Sequence, residues 1–235
     1  MQIGDTIRAT FYGEKNGVLY KSNVDEYAVA DYTYSQMKKA AAPTSLKTLC
    51  AGLLRYGATA QIYKEYRTDA LCTVAMTEEQ KTYLSDESKV VFDNYNTTGS
   101  DIVDPTVSWV GKSLLLDSKV TIRYIVDLTK YTGAHEDLKL LVNYTDIDGV
   151  KQSLYVTELV PYDVSKNRYC FEFDGLLAAE LRQKVSVAVF SGDTRLTSVL
   201  QYSASTYGNN KTGTLLTLCK HLMAYSDSAK AYFAG

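Results

Sequence analysis

Histidine, tryptophan and long apolar runs are what this chain has least of. Two histidines in 235 residues leave few places for imidazole to act as acid, base or metal ligand. No run approaches the roughly eighteen apolar residues that a membrane-spanning helix needs, so no membrane insertion is expected. The N-terminus, Met1-Gln2-Ile3-Gly4-Asp5, lacks the charged stretch and apolar core of an export signal. An excess of charge of one sign is missing too. With 25 basic and 27 acidic residues there is no broad field for phosphates or cations, and nucleic acid is not an expected partner. A phosphate-binding glycine loop, a GxSxG elbow and an HExxH helix are all absent. The expectation is therefore no enzyme, no metal and no cofactor.

What is there is enough apolar residues, 46% of the chain, to bury substantial cores. Tyrosine stands out, with 20 against one Trp and six Phe. It offers a large contact area, a polar handle and little rotamer entropy to lose, which suits recognition surfaces, and it also suits half-buried sheets. Cys50, Cys72, Cys170 and Cys219 lack zinc-type spacing. Oxidised, they allow three full pairings; Cys50 and Cys219 fall on apolar helix faces, and buried free thiols are expected.

The patterning changes along the chain and predicts an α+β fold. Thr6 to Tyr12 alternates, Asn16-Gly17 offers a tight turn and Val18 to Tyr20 returns, which predicts an N-terminal β-hairpin. Helical spacing follows from Glu26 to Ala41, ended by Pro43, and again from Thr44 or Ser45 through Tyr63. The pair is expected to form a helical hairpin. Thr77-Glu78-Glu79-Gln80 has capping-box form and predicts a short helix to Leu84. Residues 86–106 are polar and read as a linker or long loop. Between Val107 and Val189 the period becomes two, and about seven short strands predict an antiparallel β-sandwich, Ig-like in layout. Gly175 to Arg182 is expected to hold one helical turn. From Ser198 to Phe233 the helical period returns as a second helical hairpin. The expected divisions are thus 1–85, 86–106, 107–197 and 198–235.

One helical segment occurs twice. Shifted by 169 positions, Leu46, Thr48, Leu49, Cys50, Leu53, Tyr56, Ala60 and Tyr63 fall on Leu215, Thr217, Leu218, Cys219, Leu222, Tyr225, Ala229 and Tyr232. Upstream, a slip of one residue sets Val29 and Tyr32 on Val199 and Tyr202, and the strands around Phe11 on those around Phe190. The matched positions lie on the apolar stripe, so the repeat describes packing and implies a modular array. The first copy lacks a sandwich ahead of its helices, which predicts a fragment that begins inside one unit of a longer protein. Met1 set directly against a strand pattern fits an added start codon, a point the full reading frame checks.

Tyr27-Ala28-Val29-Ala30-Asp31-Tyr32, the stretch Leu53 to Gln61 and the stretch Gly111 to Lys119 resemble a recurrent module of large secreted or wall-attached proteins of Gram-positive gut anaerobes. The resemblance covers nearly the whole chain. Thr59 stands where the module's Tyr-Gly-Ala-Ala-Ala-Gln run has alanine, and Ser226 to Lys230 departs further. The resemblance implies an extracellular or wall-attached location, many domains in series and no cofactor. Some surface proteins of such bacteria bind immunoglobulin variable regions as superantigens, which makes a host immunoglobulin the expected partner.

No catalytic constellation emerges from the remaining polar residues. His135 lies in a polar loop. His221 stands beside the apolar stripe at the position Gly52 takes in the first copy, and Cys219, two residues away, points elsewhere on the helix. Asp146-Ile147-Asp148-Gly149 would place Tyr144 and Tyr155 at calcium-ligand positions and is read as a turn. Asp163 and Asp174 could converge, though spacing does not show it. A partner-binding face should be polar, aromatic and off the repeated stripe. Arg55, Gln61, Lys64 and Tyr66 on the helices, and Tyr131 and Tyr162 on sandwich loops, are the candidates. Glycan binding through an exposed Trp109, and a passive spacer role, are the competing expectations.

Overall fold

The computed structural model describes residues 3, 5–10, 12–101, 103–117 and 119–234. Phe11, Ser118 and Met1, which figure in the expectations above, lie outside the described residues. The chain is α+β with antiparallel sheets, none closed on itself. It divides into two compact units, residues 1–88 with 213–228 and residues 89–212 with 229–235.

The first unit opens with two strand pairs. Strand β1 (Thr6–Ala9) pairs with β4 (Asp25–Ala28), and β2 (Tyr12–Lys15) pairs with β3 (Val18–Lys21). The expected turn is there, with Asn16 and Gly17 at φ of 53° and 75°, a left-handed pair that suits a two-residue turn, but it joins β2 to β3, and Thr6–Ala9, expected in the hairpin's first arm, pairs with β4 instead. Helix α1 (Val29–Lys38) starts later than expected, because Asp25 to Ala28 are drawn into the ladder with β1. Helix α2 (Thr44–Tyr63) is entered from Pro43, whose extended backbone makes it the N-cap. Met37 of α1 packs with Cys50, Ala51, Leu54 and Ala58 of α2 and with Cys72 and Met76 beyond it. Helix α3 (Glu78–Lys81) has the capping box expected of it: Thr77 Oγ1 accepts from the Gln80 backbone N–H, and Gln80 Oε1 accepts from that of Thr77.

Helix α4 (Gly213–Phe233) begins 169 residues after α2, and its first turns belong to the first unit. The two copies of the repeated segment pack against each other there. Tyr56 stacks on Tyr225 with ring centroids 6.0 Å apart and planes at 3°. A Cβ added to Gly52 would lie 3.4 Å from the Tyr225 Cα and 3.6 Å from the Ser228 hydroxyl, while His221, at the Gly52 position, meets Thr59, at the Ser228 position. The contacts are reciprocal, so the helices run antiparallel about a pseudo-two-fold axis near the tyrosine pair.

The second unit holds two sheets. One has the order β10-β11-β7-β6, from β6 (Ser108–Leu116), β7 (Val120–Asp127), β10 (Leu159–Asp163) and β11 (Arg168–Phe173). The other has the order β5-β14-β12-β8-β9, from β5 (Asn96–Thr98), β8 (Leu138–Thr145), β9 (Lys151–Val156), β12 (Val185–Ser191) and β14 (Leu200–Tyr202), with β13 (Thr194–Arg195) on β12. Alternate residues of β8 are buried, Leu138, Leu140 and Val142, whereas β7 is buried on both faces, with Thr121 and Ile125 on one and Ile122, Tyr124 and Val126 on the other. Strand β6, Ser108–Leu116, is bent by a bulge between Trp109 and Gly111. Gly175 to Arg182 contributes a 3-10 turn over Ala178–Glu180, and Asp146 to Gly149 is the expected turn, with Asp146 Oδ1 accepting from the N–H groups of Asp148 and Val150.

Two expectations are corrected. The polar stretch 86–106 is not wholly irregular, since Asn96–Thr98 forms β5 and pairs with β14. The stretch from Ser198 does not start a second helical hairpin: it starts with β14 and a 3-10 turn over Ser205–Asn210, and the helical partner of α4 is α2. Gly208 sits against the Phe92 ring, which an added Cβ would displace. All four cysteines are buried and none is in a disulfide, as expected. Burial pushes the thiols of Cys50, Cys72 and Cys170 up, which keeps them protonated and poorly nucleophilic.

Candidate functional site

The expected contact residues of the first unit fall into two kinds. Gln61 is 4% exposed and spent internally: its amide nitrogen donates to the carbonyls of Arg67 and Ala70, and its amide oxygen accepts from the Cys72 N–H at 2.8 Å. It lies on the buried side of α2, not on the outer face expected of it. Arg55 donates through Nη1 to the Ser85 carbonyl at 2.6 Å, with its Nε and Nη2 atoms buried. Burial lowers the pKa of its guanidinium, and Glu87 offsets part of that.

Lys64, exposed at the C-cap of α2, and Tyr66 remain on the surface. Tyr66 is 40% exposed and donates its hydroxyl hydrogen to Asp5 Oδ1 at 2.8 Å. It sits between Glu65 and Arg67, whose φ angles of 52° and 48° are unusual for residues with a Cβ. Such strain persists only where surrounding contacts over-determine the backbone. Here Gln61 supplies them, since its bond to the Arg67 carbonyl ties the turn to the helix.

In the second unit, Tyr131 is half-buried and stacks on His135 at 6.3 Å, and His135 meets the edge of Tyr169 at 4.9 Å. The row is positioned by the turn after β7, where the Tyr131 N–H donates to the Leu128 carbonyl and Asn167 Nδ2 donates to the same oxygen. Tyr162 is 48% exposed on the edge strand β10, at the register shift between Pro161 and Asp163. Asp163 and Asp174 do not converge. They stand at opposite ends of the β10–β11 pair, the first beside Ser165 and Lys166 and the second beside Lys119. Trp109 is partly buried, donating its indole N–H to the Ser198 carbonyl and meeting the Tyr124 ring, so the expected exposed stacking platform is not available on it. A polar groove of about 510 Å³ lies elsewhere in this unit, lined by Asn94, Asn96, Asn209, Asn210 and Tyr207.

A polar chain in the first unit, buried at His221 and Thr59 and exposed at Glu87, is not legible in the sequence. His221 Nδ1 lies 2.6 Å from Thr59 Oγ1, and Nε2 lies 2.6 Å from Glu87 Oε2. Burial, followed by Arg55, lowers the histidine pKa, so the neutral ring is favoured. Each ring nitrogen thus has one partner, and which end of each contact donates follows the tautomer. Thr59 is 6% exposed and its oxygen also lies 3.0 Å from the Arg55 carbonyl. With both sides of the hydroxyl engaged, the trio fastens α2, α4 and the 85–89 turn together. His221 was visible only as a polar residue beside an apolar stripe, and nothing in the spacing ties it to Glu87.

Among the described residues, no three His, Cys, Asp or Glu side chains gather where they could share a metal ion. No described helix is long and apolar enough to cross a membrane. Compared with models of protein families, with characterised proteins and with solved structures, the chain matches none.

Proposed function

We propose that the chain is a non-enzymatic binding module of a bacterial surface or secreted protein, and that it recognises a host protein such as an immunoglobulin variable domain in a superantigen-like manner. On this reading the two sheets of the second unit form an Ig-like sandwich, α1 and α2 form a helical hairpin, and the module works outside the cell as part of a longer multidomain chain. The observation that carries the proposal is Tyr66. An exposed tyrosine held on a strained turn by a buried glutamine has little entropy to lose on binding, and aromatic anchors of that kind dominate protein interfaces. Lys64 supplies an adjacent cation, and Tyr162 offers a second exposed ring.

Titration of immobilised immunoglobulin fragments of every class with the chain tests the proposal. Binding that Tyr66→Ala weakens by about tenfold or more is expected, since a lost anchor costs about 2 kcal/mol. No binding to any fragment at micromolar concentration removes it.

A second reading is a glycan-binding module, favoured by the asparagine-lined groove. Side-chain amides around an aromatic wall are the donors, acceptors and stacking surface that a sugar needs. A glycan array read with the parent chain and with Asn96→Ala separates the two readings.

A further inference from the structure

The N-terminal strand pair of the first unit and the strand pair β12–β14 of the second are two copies of one structure, a relation that the register makes explicit. Ile7 faces Tyr27, Arg8 faces Glu26 and Ala9 faces Asp25; Val185 faces Tyr202, Ser186 faces Gln201 and Val187 faces Leu200. The apolar pair Ile7–Tyr27 aligns with Val185–Tyr202, and the charged pair Arg8–Glu26, bridged at 2.7 Å, aligns with the polar pair Ser186–Gln201, while Ala9–Asp25 departs from Val187–Leu200. This corrects the sequence alignment. Tyr27 corresponds to Tyr202 and Tyr32 to Tyr207, a shift of 175 residues, because the connection between strand and repeated helix is longer in the first copy.

The two copies differ in what covers them. Tyr202 and Val185 are 4% and 0% exposed, whereas Tyr27 and Ile7 are 67% and 51% exposed. In the second unit, β12 is also paired by β8 and β14 by β5, and Tyr202 lies under the Lys112 ammonium of β6 and close to Tyr124 of β7. In the first unit, β1 and β4 pair only with each other among the described residues, and Ile7, Tyr27, Val29 and Tyr32 line an open apolar recess of about 250 Å³. A sheet edge and an apolar face exposed together are costly in water and templated for pairing.

We propose that the β1–β4 pair is the docking site for a preceding copy of the β5–β11 part of this repeat, with the fold of residues 89–184 and joined ahead of β1 as those residues join β12. The occupant is specified by the second unit, where β5 and β8 of that segment pair both edges of the corresponding strands and Lys112 and Tyr124 of its other sheet lie at Tyr202. It adds strands to both edges of the pair and lays its second sheet over Ile7 and Tyr27. Each such repeat would then lend its last two strands and its helix to its neighbours, making the array continuous and not a string of separate beads. The inference does not depend on the host-protein reading.

The test is the full chain carrying a second copy of its own residues 89–182 joined directly ahead of Asp5, which sets Ile7 where Val185 stands in the second unit. Amide exchange over residues 6–9 and 25–28 should slow by at least about 100-fold, as expected when an edge becomes interior, and surface iodination of Tyr27 should stop. An extended chain that folds yet leaves Tyr27 labelled at the parent's rate overturns the proposal. So does an added segment that stays unfolded, since the strand pair supplies what it lacks. In the parent chain, Tyr27→Asp should leave the melting temperature unchanged while Tyr202→Asp unfolds the second unit. If the parent sediments as a dimer that Tyr27→Asp dissociates, a second copy covers the face and the proposal fails.

Discussion

Tyr56 and Tyr225 occupy the same place in two copies of one helix, and their rings stack on each other, 6.0 Å apart and within 3° of parallel. Each also lies near the other copy's cysteine, Tyr56 near Cys219 and Tyr225 near Cys50. Burial pushes the Tyr56 phenol up to about 12, so both rings pack as neutral groups at any ordinary pH. The repeat is thus a self-complementary surface, used once within the chain in the way a symmetric dimer uses one between chains.

Truncating either ring should therefore weaken the same contact. Tyr56→Ala and Tyr225→Ala are each expected to cost about 3 kcal/mol, the usual loss for a buried aromatic. The double variant should cost less than the sum by about 1 kcal/mol, the coupling of an aromatic pair. Urea denaturation of the four proteins measures it, and strict additivity would show that the stack contributes nothing of its own.

Much of this fold is legible in the sequence. Asn16-Gly17, the Thr77 capping box and the period-two runs at Val120, Leu138 and Val185 declared themselves because their signals are local. What was missed depends on tertiary pairing. Asp25 to Ala28 and Val199 to Tyr202 are too short for their patterns to separate a helix from a strand, and the ladder partner decides. Gln61 looked like an outward polar residue because nothing local reveals that the chain folds back to place the N–H of Cys72 on its amide. The stripe of the second helix was readable, but not that its partner would be the first copy.

His221 gives the first unit a pH dependence whose sign follows from its lowered pKa. The unfolded chain takes up the proton at the ordinary value near 6.5, before the folded chain does, so stability is full above that pH. It is lost as pH falls through 6.5 toward the lower folded value, with a slope of at most about 1.4 kcal/mol per pH unit for one proton. The groups facing the ring are Arg55, Thr59, Glu87 and Lys220. Arg55 and Lys220 add to the penalty and Glu87 opposes it. His221→Gln should flatten the melting temperature between about pH 7 and pH 5.5, above the range where carboxylates take over. An unchanged slope in the variant would assign the effect elsewhere.

The turn that presents Tyr66 should be improvable at the expense of presentation. Glu65 is exposed with φ of 52°, so Glu65→Gly removes a left-handed penalty of roughly 1 kcal/mol, less the extra entropy that glycine loses on folding. A small rise in thermal stability is expected, with faster amide exchange around Tyr66. If the glycine variant is clearly less stable, the Glu65 side chain contributes more than its backbone costs.

Tyr124 is the largest fully buried side chain of the second unit, and its hydroxyl lies in the interior without a hydrogen-bond partner. The ring is well used, with Trp109 at its edge 6.5 Å away, so the position needs an aromatic and not a phenol. A buried hydroxyl left unpaired costs about 1–3 kcal/mol, and burial also drives its pKa far upward, which excludes any charged role. Tyr124→Phe keeps the ring and deletes only the unpaired oxygen. It should stabilise the second unit by about 1 kcal/mol, the low end of that range because the vacated space is small. Calorimetry decides: a lower melting temperature would mean that the hydroxyl is satisfied in solution, by a water bound between the sheets.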